Sequence, residues 1–359
     1  MSISPQSLWS NSVRLLLLLP LVMSLVSNAW SDGARLGAYN VDIRQTSVSG
    51  LSSGAAMAIQ FDVAHSSIVK GAGIIAGAPY HCAEFDPTLY RPTTVCSCAS
   101  RPCPAATIDL NPLIAYTDMQ ASIGGIDDTA NLRSQRIFLF SGTLDQTVPT
   151  RVMDVVHSYF LHYANSPSNV SWKADLPAEH AMPTQDHGHH CSYFGTPYIN
   201  KCTYDAAGKI LEWIYGPDIN PSTSGPIQGS LIRFDQSEFT NGPPVLSAMD
   251  TSGWVFVPKD CERGEPCKVH VAFHGCAQGQ SLVGTAFVKH AGFNEWADTN
   301  HIVVLYPQVV TTNGGLLPYN PEDCWNWWGY DGDPDYATRS ASQISAVKAM
   351  LDRLASGHR

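Results

Sequence analysis

Charge is scarce in this sequence, and positive charge is scarcer than negative. Lys and Arg number 21 against 31 Asp and Glu, charged residues make up 14% of the 359 residues, and the formal net charge is −10. Nucleic acids and anionic membranes attract proteins through clusters of basic side chains, so this balance argues against both as partners. The composition favours a protein that handles an uncharged ligand.

Long hydrophobic runs are absent after the first 30 residues. The one early run, residues 15–26, is followed by small residues that end at Ala29. This pattern predicts a secretory signal peptide over residues 1–29, with an uncleaved anchor as the alternative. No later run approaches the ~20 apolar residues that span a bilayer, so no membrane contact is expected after cleavage. The sequence thus predicts a secreted protein, extracellular or periplasmic.

Metal-ligand spacing is lacking as well. The C-x-C at Cys96 and Cys98 is not the C-x2-C of zinc sites, and the histidine-rich stretch 187–190 is interpreted as a solvated loop. No metal is therefore expected. An even number of cysteines in an exported chain predicts disulfides instead. We expect the pairs Cys191/Cys202, Cys261/Cys267 and Cys276/Cys324, and three pairings stay open among Cys82, Cys96, Cys98 and Cys103.

Short apolar runs alternate with helical segments along the chain, which predicts an α/β fold. The main strands are predicted at residues 40–49, 68–75, 136–141, 231–234, 253–258, 268–273 and 301–306, and the main helices at residues 55–63, 152–163, 208–215 and 336–354. The acidic segment Asp333-Pro334-Asp335 is interpreted as the start of the last helix.

A stretch rich in Pro, Ser and Asn covers residues 217–227, and we interpret it as a linker. It divides the predicted single domain, residues 30–359, into a first half of about 38–216 and a second half of about 228–359. No separate substrate-binding domain is expected.

The segment Gly50-Leu51-Ser52-Ser53-Gly54 matches G-x-S-x-G, the pattern that exposes a nucleophilic serine between a strand and a helix. A small-residue turn without chemistry is the alternative. Acyl transfer also needs a base and an acid that orients it. Asp145 follows the strand at 136–141 and is predicted as that acid, although it could simply cap the next helix. For the base, residue chemistry leaves His180 and His187 both open.

The strand at 268–273 ends in His274-Gly275, and such an ending is typical of an oxyanion loop. We predict the backbone N–H groups of Ser53 and Cys276 as the oxyanion donors. This strand precedes the nucleophile in an ordinary α/β-hydrolase, but here it follows by about 220 residues. A circularly permuted α/β-hydrolase fold explains the order if the two ends of the domain lie close together.

Six segments occur in one order along the chain: GLSSGAAM, SGTLDQTVP, AEHAMPT, HGCAQ, LYPQ and CWNWWGY. Together they resemble the extracellular poly(3-hydroxybutyrate) depolymerases, and their order resembles the circularly permuted catalytic domain of that family. The similarity covers about residues 38–355. HGCAQ stands where many relatives have HGCTQ, which is a mild departure.

This resemblance implies a secreted serine esterase. It would hydrolyse poly(3-hydroxybutyrate), or a related short-chain polyhydroxyalkanoate, to 3-hydroxyacid monomers and oligomers through an acyl-enzyme. The implied triad is Ser52, Asp145 and His180, with His180 preferred over His187 and no cofactor.

The resemblance also implies substrate-binding tryptophans at Trp325, Trp327 and Trp328, of which at least one is expected in the core. The expected partner is a polyester, and the protein is expected to be a monomer. The alternative function is a secreted feruloyl or acetyl esterase acting on plant polysaccharide or small esters.

Overall fold

The computed structural model describes Met1 and residues 33–83, 91–100, 108–223 and 225–358, with only the backbone of Asp218. The chain divides into two units, Met1–Trp30 and Ser31–Arg359, and the second carries the fold. The predicted signal peptide over residues 1–29 lies outside the described residues, apart from Met1. No helix in the described ranges has both the length and the apolar character to cross a bilayer.

Apolar runs form the strands of a large central sheet and two small sheets. The strands are β1 (Val41–Leu51), β2 (Val69–Ile75), β3 (Arg136–Phe140), β4 (Val170–Lys173), β5 (Met182–Thr184), β6 (His189–His190), β7 (Ile199–Lys201), β8 (Ser230–Asp235), β9 (Ser252–Val257), β10 (Cys267–Phe273), β11 (Ile302–Tyr306), β12 (Thr312–Asn313) and β13 (Tyr319–Asn320). The large sheet has the order β4-β3-β2-β1-β10-β11-β9-β8. Its pairs are parallel except those of β9, which runs opposite to its two neighbours. At its centre, β11, all but one residue of β10, and residues 46–51 of β1 are buried, as expected for a parallel sheet covered on both faces.

Helices cover the sheet. They are α1 (Ser53–Ala64), α2 (Arg91–Thr94), α3 (Leu110–Ile123), α4 (Thr150–Tyr163), α5 (Ala206–Tyr215), α6 (Lys259–Glu262), α7 (Gln280–Val283), α8 (Ala286–His290), α9 (Phe293–Asn300) and α10 (Ser342–Ala355). Short 3-10 helices lie at Thr129–Ser134, Pro167–Asn169, Gly216–Asp218, Ser237–Phe239 and Pro244–Ser247. Every residue of α1 is buried, so the helix that follows the predicted nucleophile lies inside the protein and not on its surface.

The strand order confirms a circularly permuted α/β-hydrolase fold. To compare the fold with an ordinary α/β-hydrolase, the strands are renumbered so that β8–β11 become strands 1–4 and β1–β4 become strands 5–8. Their order across the sheet is then 1-2-4-3-5-6-7-8. The second strand is then the antiparallel one, and the turn that carries Ser52 follows the fifth, as in an α/β-hydrolase. The permutation is possible because the two ends of the fold touch: the Tyr39 backbone N–H donates to the Leu354 carbonyl at 2.8 Å.

The central strand pair β1–β10 joins the two halves of the chain. His270 on β10 lies between two hydroxyls of β1, with Nδ1 2.7 Å from Ser47 Oγ and Nε2 2.7 Å from Ser49 Oγ. Burial lowers the pKa of His270 to about 3, so the imidazole stays neutral. A neutral ring has one donor and one acceptor, and both find a partner here. This buried network fixes the register of the strand pair that positions the site.

The last helix is shorter than the sequence predicts. It begins at Ser342 with Ala341 as its N-cap, so the prediction of a helix from residue 336 with Asp333-Pro334-Asp335 at its start is wrong. Contacts with the rest of the protein hold residues 336–341 outside the helix. The Ala337 carbonyl accepts from Tyr80 Oη at 2.8 Å, and Arg339 donates to Asp127 at 2.9 Å.

Candidate active site

Ser52 lies on a sharp turn between β1 and α1. Its backbone has φ 58° and ψ −122°, a conformation that a non-glycine residue adopts only where the surroundings impose it. The flanking glycines allow this turn. A Cβ atom on Gly50 would lie 2.2 Å from the carbonyl of Gly54, and one on Gly54 would lie 2.2 Å from the carbonyl oxygen of His274. The turn therefore has the geometry of a strand–serine–helix elbow.

Asp145 and His180 form a buried hydrogen-bonded pair. His180 Nδ1 lies 2.7 Å from Asp145 Oδ2, and the two residues are 6% and 5% exposed. The other oxygen, Asp145 Oδ1, accepts the backbone N–H groups of Thr147 and Val148 at 2.8 Å each. Both carboxylate oxygens are thus engaged, and the imidazole is held in one orientation. Asp145 follows β3, as the sequence predicts.

The loop between β4 and β5 brings His180 to Asp145. Leu144 N–H donates to the Ala178 carbonyl at 3.1 Å, and a Cβ on Gly142 would lie 2.2 Å from that same oxygen. His187, the other candidate, stacks instead on His290 with ring centroids 3.7 Å apart. Of the two histidines, the structure places only His180 beside the acid.

The predicted oxyanion loop runs past the serine turn. A Cβ on Gly275 would lie 3.2 Å from the Leu51 carbonyl oxygen and 3.4 Å from Ser52 Cβ, so this loop packs against the serine turn. Cys276 follows, and it lines one cavity together with Ser52, Ser53 and His180. Within the described residues, the N–H groups of Ser53 and Cys276 donate to no protein acceptor. Both donors therefore remain available to a ligand in this cavity.

Side chains and backbone fix the oxyanion loop in place. Gln278 Oε1 accepts the Gly275 N–H at 2.8 Å, while its Nε2 donates to the carbonyls of Pro197 and Tyr198 at 3.0 Å each. Cys276 forms a disulfide with Cys324. The loop is thus bound to two other segments of the chain.

The cavity has a volume of about 450 Å³, which suits a segment of a polymer or a small ester. Aromatic side chains form much of its wall. Those that line it are Phe194, Tyr198, Tyr319, Trp327 and Trp328. Among the described residues of the wall, Glu322 is the only one with a formal charge apart from the titratable His180. The cavity is therefore apolar and nearly uncharged around its reactive end.

Trp325 does not belong to this wall, so its predicted substrate-binding role is wrong; of the three tryptophans it is the one in the core, where at least one is expected. It is completely buried, and its ring packs edge-on against Phe273 with centroids 5.0 Å apart. Trp327 and Trp328 line the cavity, whereas Trp325 lies in the core. The sequence alone contains no signal that tells these three apart.

Sequence reasoning missed several residues of the wall, namely Phe194, Tyr198, Tyr319 and Glu322. They lie on loops that reach the cavity only through long-range contacts, such as the bond from Gln278 to Tyr198. No local pattern identifies such positions.

The structure forms disulfides at Cys82–Cys96, Cys191–Cys202, Cys261–Cys267 and Cys276–Cys324. Cys98 is also disulfide-bonded, and Cys103 lies outside the described residues. No group of three or more His, Cys, Asp or Glu in the described ranges is arranged to hold a metal ion.

The fold and this arrangement of side chains define an α/β-hydrolase built around a serine. Comparison with known proteins narrows the class. The chain is 42% identical over 326 residues to a poly(3-hydroxybutyrate) depolymerase of Delftia acidovorans and spans 62% of that protein's length. It is 36% identical over 334 residues to a polyhydroxybutyrate depolymerase of Talaromyces funiculosus and covers 93% of it. No family model matches the chain.

Solved structures agree with the sequence comparison. A PHB depolymerase from Penicillium funiculosum superposes with a TM-score of 0.81 at 33% identity, covering 91% of this chain and 100% of that one. A serine-to-alanine variant of a PHB depolymerase complexed with an R3HB trimer gives the same values. The chain belongs to the polyhydroxybutyrate depolymerase family, and the family predicted from the six segments is confirmed.

Proposed function

We propose that this protein is a secreted serine esterase that cleaves poly(3-hydroxybutyrate) or a related short-chain polyhydroxyalkanoate to monomers and oligomers. The observation that carries the proposal is that three residues line one cavity: Ser52 on its strained turn, His180 held by Asp145, and Cys276, whose N–H is the predicted donor. Disulfides in the structure and family membership support secretion.

The geometry supports acyl transfer in two steps. His180 takes the proton of Ser52 while Oγ forms a bond to the ester carbonyl carbon. The carbonyl oxygen becomes an oxyanion between the N–H groups of Ser53 and Cys276. His180 then gives its proton to the departing alkoxide, which leaves as the hydroxyl end of the shortened polymer. A water molecule, deprotonated by His180, releases the 3-hydroxyacid from Ser52 by the same steps.

Asp145 supports both steps through His180 Nδ1. Its carboxylate keeps the proton on Nδ1 and leaves Nε2 to accept the proton of Ser52. The charge that forms on the imidazole is stabilised by the same buried carboxylate.

The wall of the cavity favours an uncharged aliphatic ester. Trp327, Trp328 and Phe194 offer apolar surface for methyl and methylene groups. Tyr319 and Phe194 are 64% and 54% exposed, and they extend this apolar surface outward, where a longer polyester chain would continue. A substrate with many charges or hydroxyls would find few partners there.

The proposal is tested by the clearing of a poly(3-hydroxybutyrate) emulsion. We expect the wild type to clear the emulsion and to release 3-hydroxybutyrate, and Ser52→Ala to do neither while keeping the wild-type melting temperature. A fluorophosphonate probe should label the wild type at Ser52. No labelling would overturn the serine mechanism. Labelling with release of ferulate or acetate from xylan, but no clearing, would favour the polysaccharide esterase instead.

A further inference from the structure

Asp323 is a buried carboxylate behind the oxyanion loop, outside the cavity. Its exposure is 0%, and its Oδ2 accepts a hydrogen bond from Ser281 Oγ at 3.1 Å. Its Oδ1 has no hydrogen-bond partner within the described residues. A buried charge without a full set of partners is unfavourable, so its retention calls for an explanation.

Three consecutive residues, Glu322 to Cys324, hold the oxyanion loop from behind. The Glu322 carbonyl accepts the Ala277 N–H at 2.6 Å. The Asp323 carboxylate lies against the loop backbone, because a Cβ on Gly279 would be 2.7 Å from Oδ2. Cys324 forms the disulfide with Cys276. The carboxylate is thus the one charged group in this three-point attachment.

The loop backbone is turned toward this carboxylate. Ala277 has φ 53° and Asp323 has φ 40°, so both non-glycine residues take the left-handed conformation. Successive N–H groups in such turns form a concave site for an anion. Burial raises the pKa of Asp323 to about 7, although the Ser281 hydroxyl and the N–H groups of Gly279, Gln278 and Ala277 oppose that rise.

We propose that Asp323 is a positioning residue for the oxyanion site. Its ionised carboxylate attracts the N–H groups of Gln278 and Gly279, while the Ala277 N–H donates to the Glu322 carbonyl, and together they hold the preceding N–H, that of Cys276, toward Ser52. This inference rests on the proposed function, because it requires the Cys276 N–H to stabilise an ester oxyanion. When Asp323 is protonated the attraction is lost, and the transition state loses stabilisation while the ground state of the bound ester does not.

Other titratable groups near Asp323 do not supply this effect. Tyr330 is buried, and burial together with the charges of Asp331 and Asp323 raises its pKa, so it stays neutral. Burial lowers the pKa of His274 to about 4, and its Nδ1 is bonded to the Gly275 carbonyl at 2.8 Å. Glu322 reaches the loop through its backbone carbonyl and exposes its side chain. From α7, the residue that contacts Asp323 is Ser281.

The test compares the wild type with Asp323→Asn on p-nitrophenyl butyrate from about pH 5 to pH 9. The quantity compared is the kcat of the wild type divided by the kcat of the variant, because ionisations shared by both proteins cancel in this ratio. We expect this ratio to be near one below about pH 6 and to rise to about tenfold above about pH 8, since losing a whole oxyanion donor costs roughly 100-fold or more. KM should not change. The matched control is Asp335→Asn, an exposed aspartate of the same loop, which should give a flat ratio of one.

A ratio that does not change with pH, or a change confined to KM, would overturn the inference. If Asp323→Asn does not fold, Ser281→Ala decides the matter. Loss of the hydroxyl removes a group that stabilises the ionised carboxylate, so the acid limb of kcat should move to higher pH, and an unmoved limb would overturn the inference. A wild type that neither hydrolyses the ester nor labels at Ser52 refutes the proposed function as well. An active wild type with a flat ratio refutes only the role of Asp323.

Discussion

Gly54 and His274 lie in backbone contact across the two halves of the chain. A Cβ on Gly54 would be 2.2 Å from the His274 carbonyl oxygen and 2.4 Å from that of Phe273. The start of α1 therefore rests directly on the end of β10, and the serine turn and the oxyanion loop are held together without any intervening side chain.

Gly54→Ala should lower both stability and activity. The new methyl group would push the end of β10 away, since neither carbonyl is at the end of a flexible side chain. Overpacking of this kind costs about 1–3 kcal/mol, and the oxyanion loop would move with the strand. Urea unfolding and kcat on a soluble ester measure the two effects. Gly225→Ala, with only Thr223 Oγ1 at 3.8 Å, is the control and should change neither. If Gly54→Ala kept the wild-type kcat, the claim that the oxyanion loop moves with the end of β10 would be wrong.

Asp145→Asn should lower kcat by roughly 10⁴-fold with little change in KM. The N–H groups of Thr147 and Val148 would keep the amide oxygen in the place of Oδ1, so the NH2 group would face His180 Nδ1. Nδ1 would then have to accept, which leaves the proton on Nε2 and removes the base for Ser52. Steady-state kinetics measure the loss, with the exposed Asp154→Asn as control. A loss of less than about tenfold would argue against an orienting role.

Asp62→Asn should remove a pH dependence of stability. Asp62 is buried in α1, neither of its oxygens has a hydrogen-bond partner in the described residues, and burial raises its pKa to about 8. The folded protein thus holds a proton that the unfolded chain releases near pH 4, so the contribution is full below that pH and is lost as the pH rises to about 8. The slope is at most about 1.4 kcal/mol per pH unit.

Urea midpoints between about pH 5 and pH 8.5 check this slope. The wild type should lose stability across the range and Asp62→Asn should lose less. Parallel curves for the two proteins would show that Asp62 is not the responsible group.

Removal of the Cys276–Cys324 disulfide should affect both folding and catalysis. The two residues are 48 positions apart, and chain entropy for such a loop gives about 4 kcal/mol of stabilisation. The double serine variant should also have a lower kcat, because it keeps the N–H of residue 276 but loses the covalent attachment that holds the oxyanion loop in place. The control is the double serine variant at Cys261 and Cys267, which are 6 positions apart and do not line the cavity. It should lose about 2 kcal/mol and keep its kcat. Equal losses of kcat in both variants would point to a general effect on folding.

Glu322→Gln should improve the binding of substrates that carry a free carboxylate. Glu322 is the charged side chain of the cavity wall, and a like charge several ångströms away in a solvated cleft costs about 0.7 kcal/mol. We expect KM to fall roughly threefold for a hydroxybutyrate trimer with a free acid end and to stay unchanged for its methyl ester. The difference should shrink at high salt. Equal changes in KM for both trimers would exclude charge as the cause.

Local sequence was sufficient to predict the elements that carry Ser52 and Asp145, because each follows a buried strand at a turn. It left His180 and His187 undecided, since the choice depends on how the loop of Ala178 packs against Gly142. That contact joins segments whose sequences do not reveal it. The preference for His180 came from resemblance to a family and not from the chemistry of the residues.

The same limit explains the errors. Trp325 is held in the core by contacts with Phe273 and His274, which lie about 50 residues earlier in the chain. Residues 336–341 have helical character but are held by Tyr80 and Asp127 from the other half of the chain. Asp323 gives no local sign of a role, because the loop that it supports lies about 45 residues before it.

The pairing of β1 with β10 also sets an order of events. Gly50 on β1 pairs with Ile74 of β2 on one side and with Phe273 of β10 on the other. While the chain is being made, the first partner follows within about 25 residues, but the second emerges only after about 220. Until then the strand that presents Ser52 has an open edge and no oxyanion loop beside it. The proposed ester hydrolysis therefore requires complete folding, because Ser52 and the oxyanion loop come together only after the late strands have docked.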